Sequence, residues 1–320
     1  MSSNNNNTSS MTMTMMDQLI SSQERSLIQQ LKNQLFDPAL ATRLIPNQES
    51  SSFPQESSTN ISLKTMNDLW NALNQFISKS EIHPDLFYVR WLRATNGDVS
   101  KSMNSIIELI KWRERIQIEK LTSSHFDSIF TKVENFVYLM GHDKDGSPTI
   151  CLEIEKFVPG SLPYEQLEKV VGFVLEIVTH ELRIKSQGRL ERFVVLIDYY
   201  NWGLSLVDTK LDKAILGTCQ SYFPERLKLA CLMRAPWLFS TAYAVVKVFL
   251  DEKTTEKIAF VSESEIPTEL RKRFDEHILL EKYGGKSQKK QTIKEYLSTF
   301  LGPNETLEEY YAKRLSFLQQ

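Results

Sequence analysis

Residues 222–262 constrain the fold more than any other stretch of the chain. Leu227–Met233 is an almost unbroken apolar run of strand length, the pattern of a strand covered on both faces. Pro236 then stands at the first turn of an expected helix, where its missing N–H costs nothing. From Trp237 to Leu250 that helix is apolar almost all the way round, with Lys247 as its only charge. A helix apolar on every side lies in a core or against lipid. This one is too short to span a bilayer, which takes about 20 residues. After a polar turn at 252–256, Lys257 opens another apolar strand, Ile258–Val261.

The rest of the chain extends this alternation. Phe136–Met140, Thr149–Ile154 and Phe193–Ile197 are further β-type runs, and Asp143–Lys144–Asp145–Gly146 supplies a hairpin turn between the first two. Helices are expected at about 163–185, 208–221 and 237–250. Strands separated by helices imply right-handed crossovers. The predicted class is therefore α/β, with a mixed, mostly parallel five-stranded sheet flanked by helices. Residues 1–16 are polar and of low complexity, and 46–62 read as a Ser- and Pro-rich linker. Between them, Ser21 with Glu24 forms a capping-box pattern for a helix over about 20–36. Residues 65–118 are helical by periodicity, broken at His83–Pro84, with Asp98 as the N-cap of the last helix. Two further helices are expected after Thr292, around Gly302–Pro303. The predicted division is a 1–62 extension, a 63–119 helical domain, a 120–288 α/β domain and a 289–320 helical tail.

Composition excludes more than it identifies. The 320 residues are 41% hydrophobic and 24% charged with a formal net charge of -2, so no basic balance points to nucleic acid. Cys151, Cys219 and Cys231 are odd in number and read as reduced core residues. With no signal peptide and no apolar run of spanning length, the chain is expected in the cytoplasm, with transient peripheral membrane contact. No nucleophile elbow, P-loop, H-E-x-x-H or dinucleotide loop is present. His83, His125, His142, His180 and His277 lack metal-ligand spacing, and His180–Glu181 reads as a solvated or capped pair. Neither catalysis nor a cofactor is expected.

Four motifs in order, FPER at 223–226, APWLFS at 235–240, VFLDEKTTEK at 248–257 and KYGG at 282–285, resemble the gate region and downstream segment of the CRAL-TRIO lipid-binding family. RWLRATNGDVSKSMNSIIELIKWRERI at 90–116 resembles that family's small N-terminal helical domain, and the resemblance covers about 65–287. It implies that the sheet and helices enclose a lipid cavity and that 237–250 is a gate opening it on a membrane. A two-chain phospholipid leaving a bilayer exposes about 30 methylenes at about 0.8 kcal/mol each, on the order of 25 kcal/mol, so a carrier must cover the chains. Phe193, Val195, Trp237, Phe239, Tyr243, Val246, Phe249 and Leu250 are the implied wall and gate. Glu225, Thr254 and Lys257 match the family's phosphatidylinositol headgroup positions; a carboxylate accepts from inositol hydroxyls, while lysine and threonine hold phosphate. Asp251 reads as a cap and turn residue at the end of the gate.

Two departures refine the expectation. The basic pair that follows L-R-A in the yeast-type phosphatidylinositol transfer proteins is replaced here by Thr95 and Asn96. The Ser and Thr that bind phosphatidylcholine are replaced by Phe193 and Val195, and no tyrosine stands there to ligate heme. The resemblance is thus to the fungal class that binds phosphatidylinositol without phosphatidylcholine. The implied function is exchange of phosphatidylinositol between membranes and its presentation to a lipid kinase, with an apolar second ligand such as a sterol or squalene. The rival readings are a sterol carrier and a non-catalytic adaptor that docks on membranes or proteins.

Overall fold

The computed structural model describes residues 19–36, 66–237, 239, 243, 244, 247, 248, 250 and 252–318. They fall into two units, 1–115 and 116–320.

Local chemistry sets the helix ends of the first unit, which holds α1 (Ser22–Leu35), α2 (Met66–Ser80), α3 (Pro84–Ala94) and α4 (Val99–Ile116). The Ser21 hydroxyl and Glu24 carboxylate satisfy each other's backbone N–H groups and start α1. Asp98 Oδ1 accepts from the Lys101 N–H at 2.9 Å at the head of α4. Ile28, Leu31 and Leu35 of α1 are buried, as are Leu86, Trp91 and Leu92 of α3. Lys32 meets Asp85 at 2.6 Å, and Arg93 clasps Glu24 at 2.7 Å. Arg93 also holds the Glu24 carboxyl down to about 2.

The second unit contains α5 (Asp127–Val133), β1 (Val137–His142), β2 (Pro148–Glu153), α6 (Tyr164–Ser186), β3 (Phe193–Asp198), α7 (Thr209–Tyr222), β4 (Leu227–Met233), α8 (Glu252–Glu256), β5 (Ile258–Val261), α9 (Ile266–Arg273), β6 (Gln291–Thr292), α10 (Ile293–Ser298) and α11 (Leu307–Leu318). The sheet order is β5-β4-β3-β2-β1-β6. β2 to β5 run parallel, while β1 is antiparallel to both β2 and β6. The sheet is mixed and mostly parallel as predicted, but it has six strands rather than five. β6 is two residues long, too short to display an alternation of its own. In the β1–β2 turn, Asp143 Oδ1 accepts from the Asp145 and Ser147 N–H groups, and Gly146 takes φ +90°.

Alternation divides the sheet into two faces. On one, Tyr138, Met140, Cys151, Val194, Leu196, Cys231, Met233 and Val261 are buried against Ile266, Leu270, Phe274, Leu279, Leu280 and Tyr283. On the other, register aligns two rows across the strands, Ile150–Val195–Ala230–Ile258 and Leu152–Ile197–Leu232–Phe260. Right-handed crossovers carry α6 and α7 over the same side of the sheet. The buried cluster of the first face includes neither helix, so both belong to the second.

α6 is anchored by α11. The His180 and Glu181 side chains are buried, not solvated. The Tyr310 hydroxyl donates to Glu181 Oε1 at 2.8 Å, so its oxygen accepts from His180 Nδ1 at 2.9 Å. Arg314 grips Glu181 through Nε at 2.7 Å and through Nη2, and the Tyr311 hydroxyl donates to Glu176. The partners that keep these groups dry lie some 130 residues downstream.

Candidate functional site

The second face of the sheet combines apolar chemistry with incomplete cover. Ile150, Leu152, Val195, Ile197 and Ile258 are half-buried, although β2 and β3, which carry the first four, are interior to the sheet. Across the crossover, Leu211, Ile215, Leu216 and Cys219 of α7 are half-buried too, and Thr218 is the helix's one buried residue among those described. Phe193 and Val195 project on this face; Phe193 is buried and Val195 half-buried. Asp212 of α7 is half-buried. Burial pushes its carboxyl up to about 6, and Asp208 one turn earlier adds to the shift.

An aromatic cluster stands at the carboxyl end of these strands. Phe239 is buried, with its ring centroid 4.3 Å from that of Tyr199, 5.3 Å from Trp202, 6.1 Å from Tyr243 and 6.3 Å from Phe260. Tyr243 meets Phe260 edge-on at 5.2 Å. Phe239, Tyr243, Ala244 and Lys247 are helical, in agreement with a helix in this segment. Leu250 is half-buried, while Val246, Phe249 and Asp251 lie outside the described residues. Trp237 departs from the expected interior wall: it is 86% exposed, and Val248 is 76% exposed. The segment is thus two-sided. Phe239 and Tyr243 face the aromatic cluster, and Trp237 and Val248 face outward.

The charged cluster lies at the opposite, amino end of β3, β4 and β5. Glu225 Oε2 accepts from Lys257 Nζ at 3.3 Å and from Arg192 Nη2 at 2.9 Å. Thr254 joins Lys257 through the turn that closes α8, where the Lys257 N–H donates to the Thr254 carbonyl at 3.1 Å. The structure therefore brings Glu225 and Lys257 into contact and sets Thr254 one turn away. It adds Arg192, which the motif comparison missed. The signal was present: Arg192 immediately precedes β3, and Glu225 precedes β4 by two residues, so parallel pairing sets them side by side. Glu225 takes a left-handed backbone, φ +58°, unusual for a residue with a Cβ. Arg93, beside the missing basic pair, is engaged by Glu24 and the Leu19 carbonyl.

Among the described residues there is no group of His, Cys, Asp and Glu that could hold a metal, and no helix is long and apolar enough to cross a membrane.

Residues 132–285 match the CRAL/TRIO domain family model. Similar curated proteins include Patellin-6 of Arabidopsis thaliana, 27% identical over 218 residues, covering 64% of this chain and 51% of that protein. The Sec14 cytosolic factor of Schizosaccharomyces pombe is 25% identical over 198 residues, covering 58% of this chain and 68% of its own length. The mouse alpha-tocopherol transfer protein-like protein is 25% identical over 207 residues, covering 63% of this chain and 58% of its own. This chain thus spans about half to two thirds of the length of these relatives. Among solved structures, Sfh5 has the same fold at a TM-score of 0.54 and 19% identity, covering 77% of this chain and 86% of that one. The family model and these relatives together support a CRAL/TRIO domain over residues 132–285 of this chain.

Proposed function

We propose that this chain binds phosphatidylinositol and exchanges it between membranes. The observation that carries the reading is the pairing of an under-covered apolar sheet face with the Arg192–Glu225–Lys257 cluster at its amino end. Acyl chains would lie along the Ile150 and Leu152 rows, where burying each methylene is worth about 0.8 kcal/mol. The inositol hydroxyls would donate to Glu225. Lys257 and Arg192 would turn from Glu225 to the phosphodiester, and Arg192 would take the place of the absent basic pair. The aromatic cluster around Phe239 would close the chains off, with Trp237 and Val248 meeting the membrane surface when the segment swings.

For a second ligand, the apolar Phe193 and Val195 favour a sterol or squalene over phosphatidylcholine. Presentation of the bound lipid to a phosphoinositide kinase is the regulatory extension of the same reading.

Mass spectrometry of lipid co-purified with the native chain is the direct test. Phosphatidylinositol at near one per chain is the expected result, and a sterol alone would replace this reading with a sterol carrier. Phe239→Asp should abolish vesicle-to-vesicle transfer, whereas an adaptor that uses only the surface would keep working.

A further inference from the structure

The first face of the sheet ends in a concentration of charge that the lipid reading does not use. Glu153 and Asp198 are register partners at the carboxyl ends of the adjacent parallel strands β2 and β3, where open α/β sheets hold their ligands. Asp198 is matched: Arg234 binds it with two nitrogens, and the Tyr283 hydroxyl donates to it at 3.0 Å. Glu153 is over-matched. Its carboxylate, 3% exposed, takes Lys156 at 2.5 Å on Oε2 and both Lys282, at 2.7 Å, and Lys290 on Oε1. Three ammonium groups thus share one carboxylate, an excess of two positive charges.

The other acids nearby are exposed or already paired, and offset that excess only weakly. Lys282 is 3.7 Å from Asp198, which Arg234 already neutralises. Glu155, which pulls on the Lys156 ammonium, and Glu281 keep their charge beside the neutral Asn201 and Gln288 amides, but both are exposed, where water screens them. Glu263 lies 3.6 Å from Arg234 and is 73% exposed. The lysines are also fixed in place. Lys290 stands 4.6 Å from the Tyr138 ring centroid and Lys282 4.6 Å from that of Tyr283. Burial holds the Lys290 ammonium below the ordinary lysine value, and Lys282 and Lys156 push it the same way against the pull of Glu153. Side chains of Lys156, Lys282 and Lys290 remain 39%, 35% and 36% exposed, so an incoming ligand can reach them.

We infer that Lys156, Lys282 and Lys290 form an anion site for a phosphomonoester dianion, on the sheet face opposite the proposed lipid site. Each ammonium has three N–H donors and gives one to Glu153, leaving donors for a tetrahedral set of oxygens. A dianion matches the excess charge, and its arrival relieves the repulsion among the lysines. The phosphomonoester can come from a soluble metabolite or from a lipid headgroup such as phosphatidic acid. The site does not depend on the phosphatidylinositol reading.

The test is calorimetry of the full chain with inorganic phosphate and with glycerol phosphate at fixed ionic strength. Alongside it runs flotation with vesicles of phosphatidylcholine containing phosphatidic acid, or phosphatidylglycerol as the phosphodiester control. Binding of either soluble phosphate, weakened at least about tenfold in Lys156→Ala/Lys290→Ala and kept in Lys156→Arg/Lys290→Arg, supports the site with a soluble source. Selective flotation with phosphatidic acid, lost in the same alanine pair, supports it with a lipid source. If the alanine pair does not fold, Lys290→Gln alone serves for both comparisons. No binding in either format, or binding that the substitutions leave unchanged, overturns the inference.

Discussion

The two faces of one sheet are built from the same strands and the same residue types, yet the second is less completely covered than the first. Cys151, Val194, Leu196, Cys231 and Met233 on the first face are almost wholly removed from water. Their strand neighbours Ile150, Val195 and Ile197, pointing the other way, are half-buried. Hydrophobicity does not separate the two sets; what covers them does. The 266–283 segment lies directly on the first face. α6 and α7 stand over the second, and α6 draws much of its hold from α11 through a buried polar network. A face whose cover is secured elsewhere can be left under-filled without loosening the fold.

The comparison breaks first at that anchor. Arg314→Ala leaves the Glu181 carboxylate, fully buried, without its cation, and should destabilise the chain by about 3–5 kcal/mol in urea unfolding. A much smaller loss would mean that α6 is held by sheet contacts after all. Next comes the direct contrast between faces. Leu196→Ala should cost about 3 kcal/mol, because the cavity it leaves cannot collapse, whereas Val195→Ala on the adjoining position should cost about 1 kcal/mol or less. Equal costs per methylene would erase the distinction between a filled and an under-filled face.

Asp212 sharpens it further. A carboxyl whose folded value is raised to about 6 stabilises the fold only at low pH, and that contribution is lost as pH rises from the unfolded value through the folded one. At neutral pH the ionised group is a burden. Asp212→Asn should therefore raise stability by about 1–2 kcal/mol near pH 7, after allowance for solvent screening, and by nothing below about pH 4. The smallest effect on stability is expected at Lys257→Ala, within about 0.5 kcal/mol, together with a clear fall in transfer of labelled phosphatidylinositol between vesicles. Unchanged transfer would remove Lys257 from the headgroup site.

What the sequence disclosed was local. The Ser21–Glu24 box, the Asp98 cap, the Asp143–Gly146 turn and the strand cores all rest on residues within a few positions of one another, and the structure has each where the pattern put it. What it hid depends on distant partners. β6 exists because Gln291 and Thr292 meet Leu139 and Tyr138, not because two residues have a β period. His180 and Glu181 read as surface groups until Tyr310 and Arg314 arrive from far along the chain. Trp237 looked like part of an all-round apolar helix; composition could not say which side of it would face out. Of the proposed headgroup residues, Glu225, Thr254 and Lys257 were legible from motif order. Arg192 became visible only when parallel register brought it beside Glu225.

The backbone at Glu225 carries one further implication. Its φ of +58° suits glycine better than glutamate. Exchanging it for glycine should make the chain hardier against heat by roughly 0.5–1 kcal/mol while discarding the carboxylate that two cations now hold. Were that exchange to add stability and abolish lipid transfer together, Glu225 would mark a spot where robustness is given up for a task.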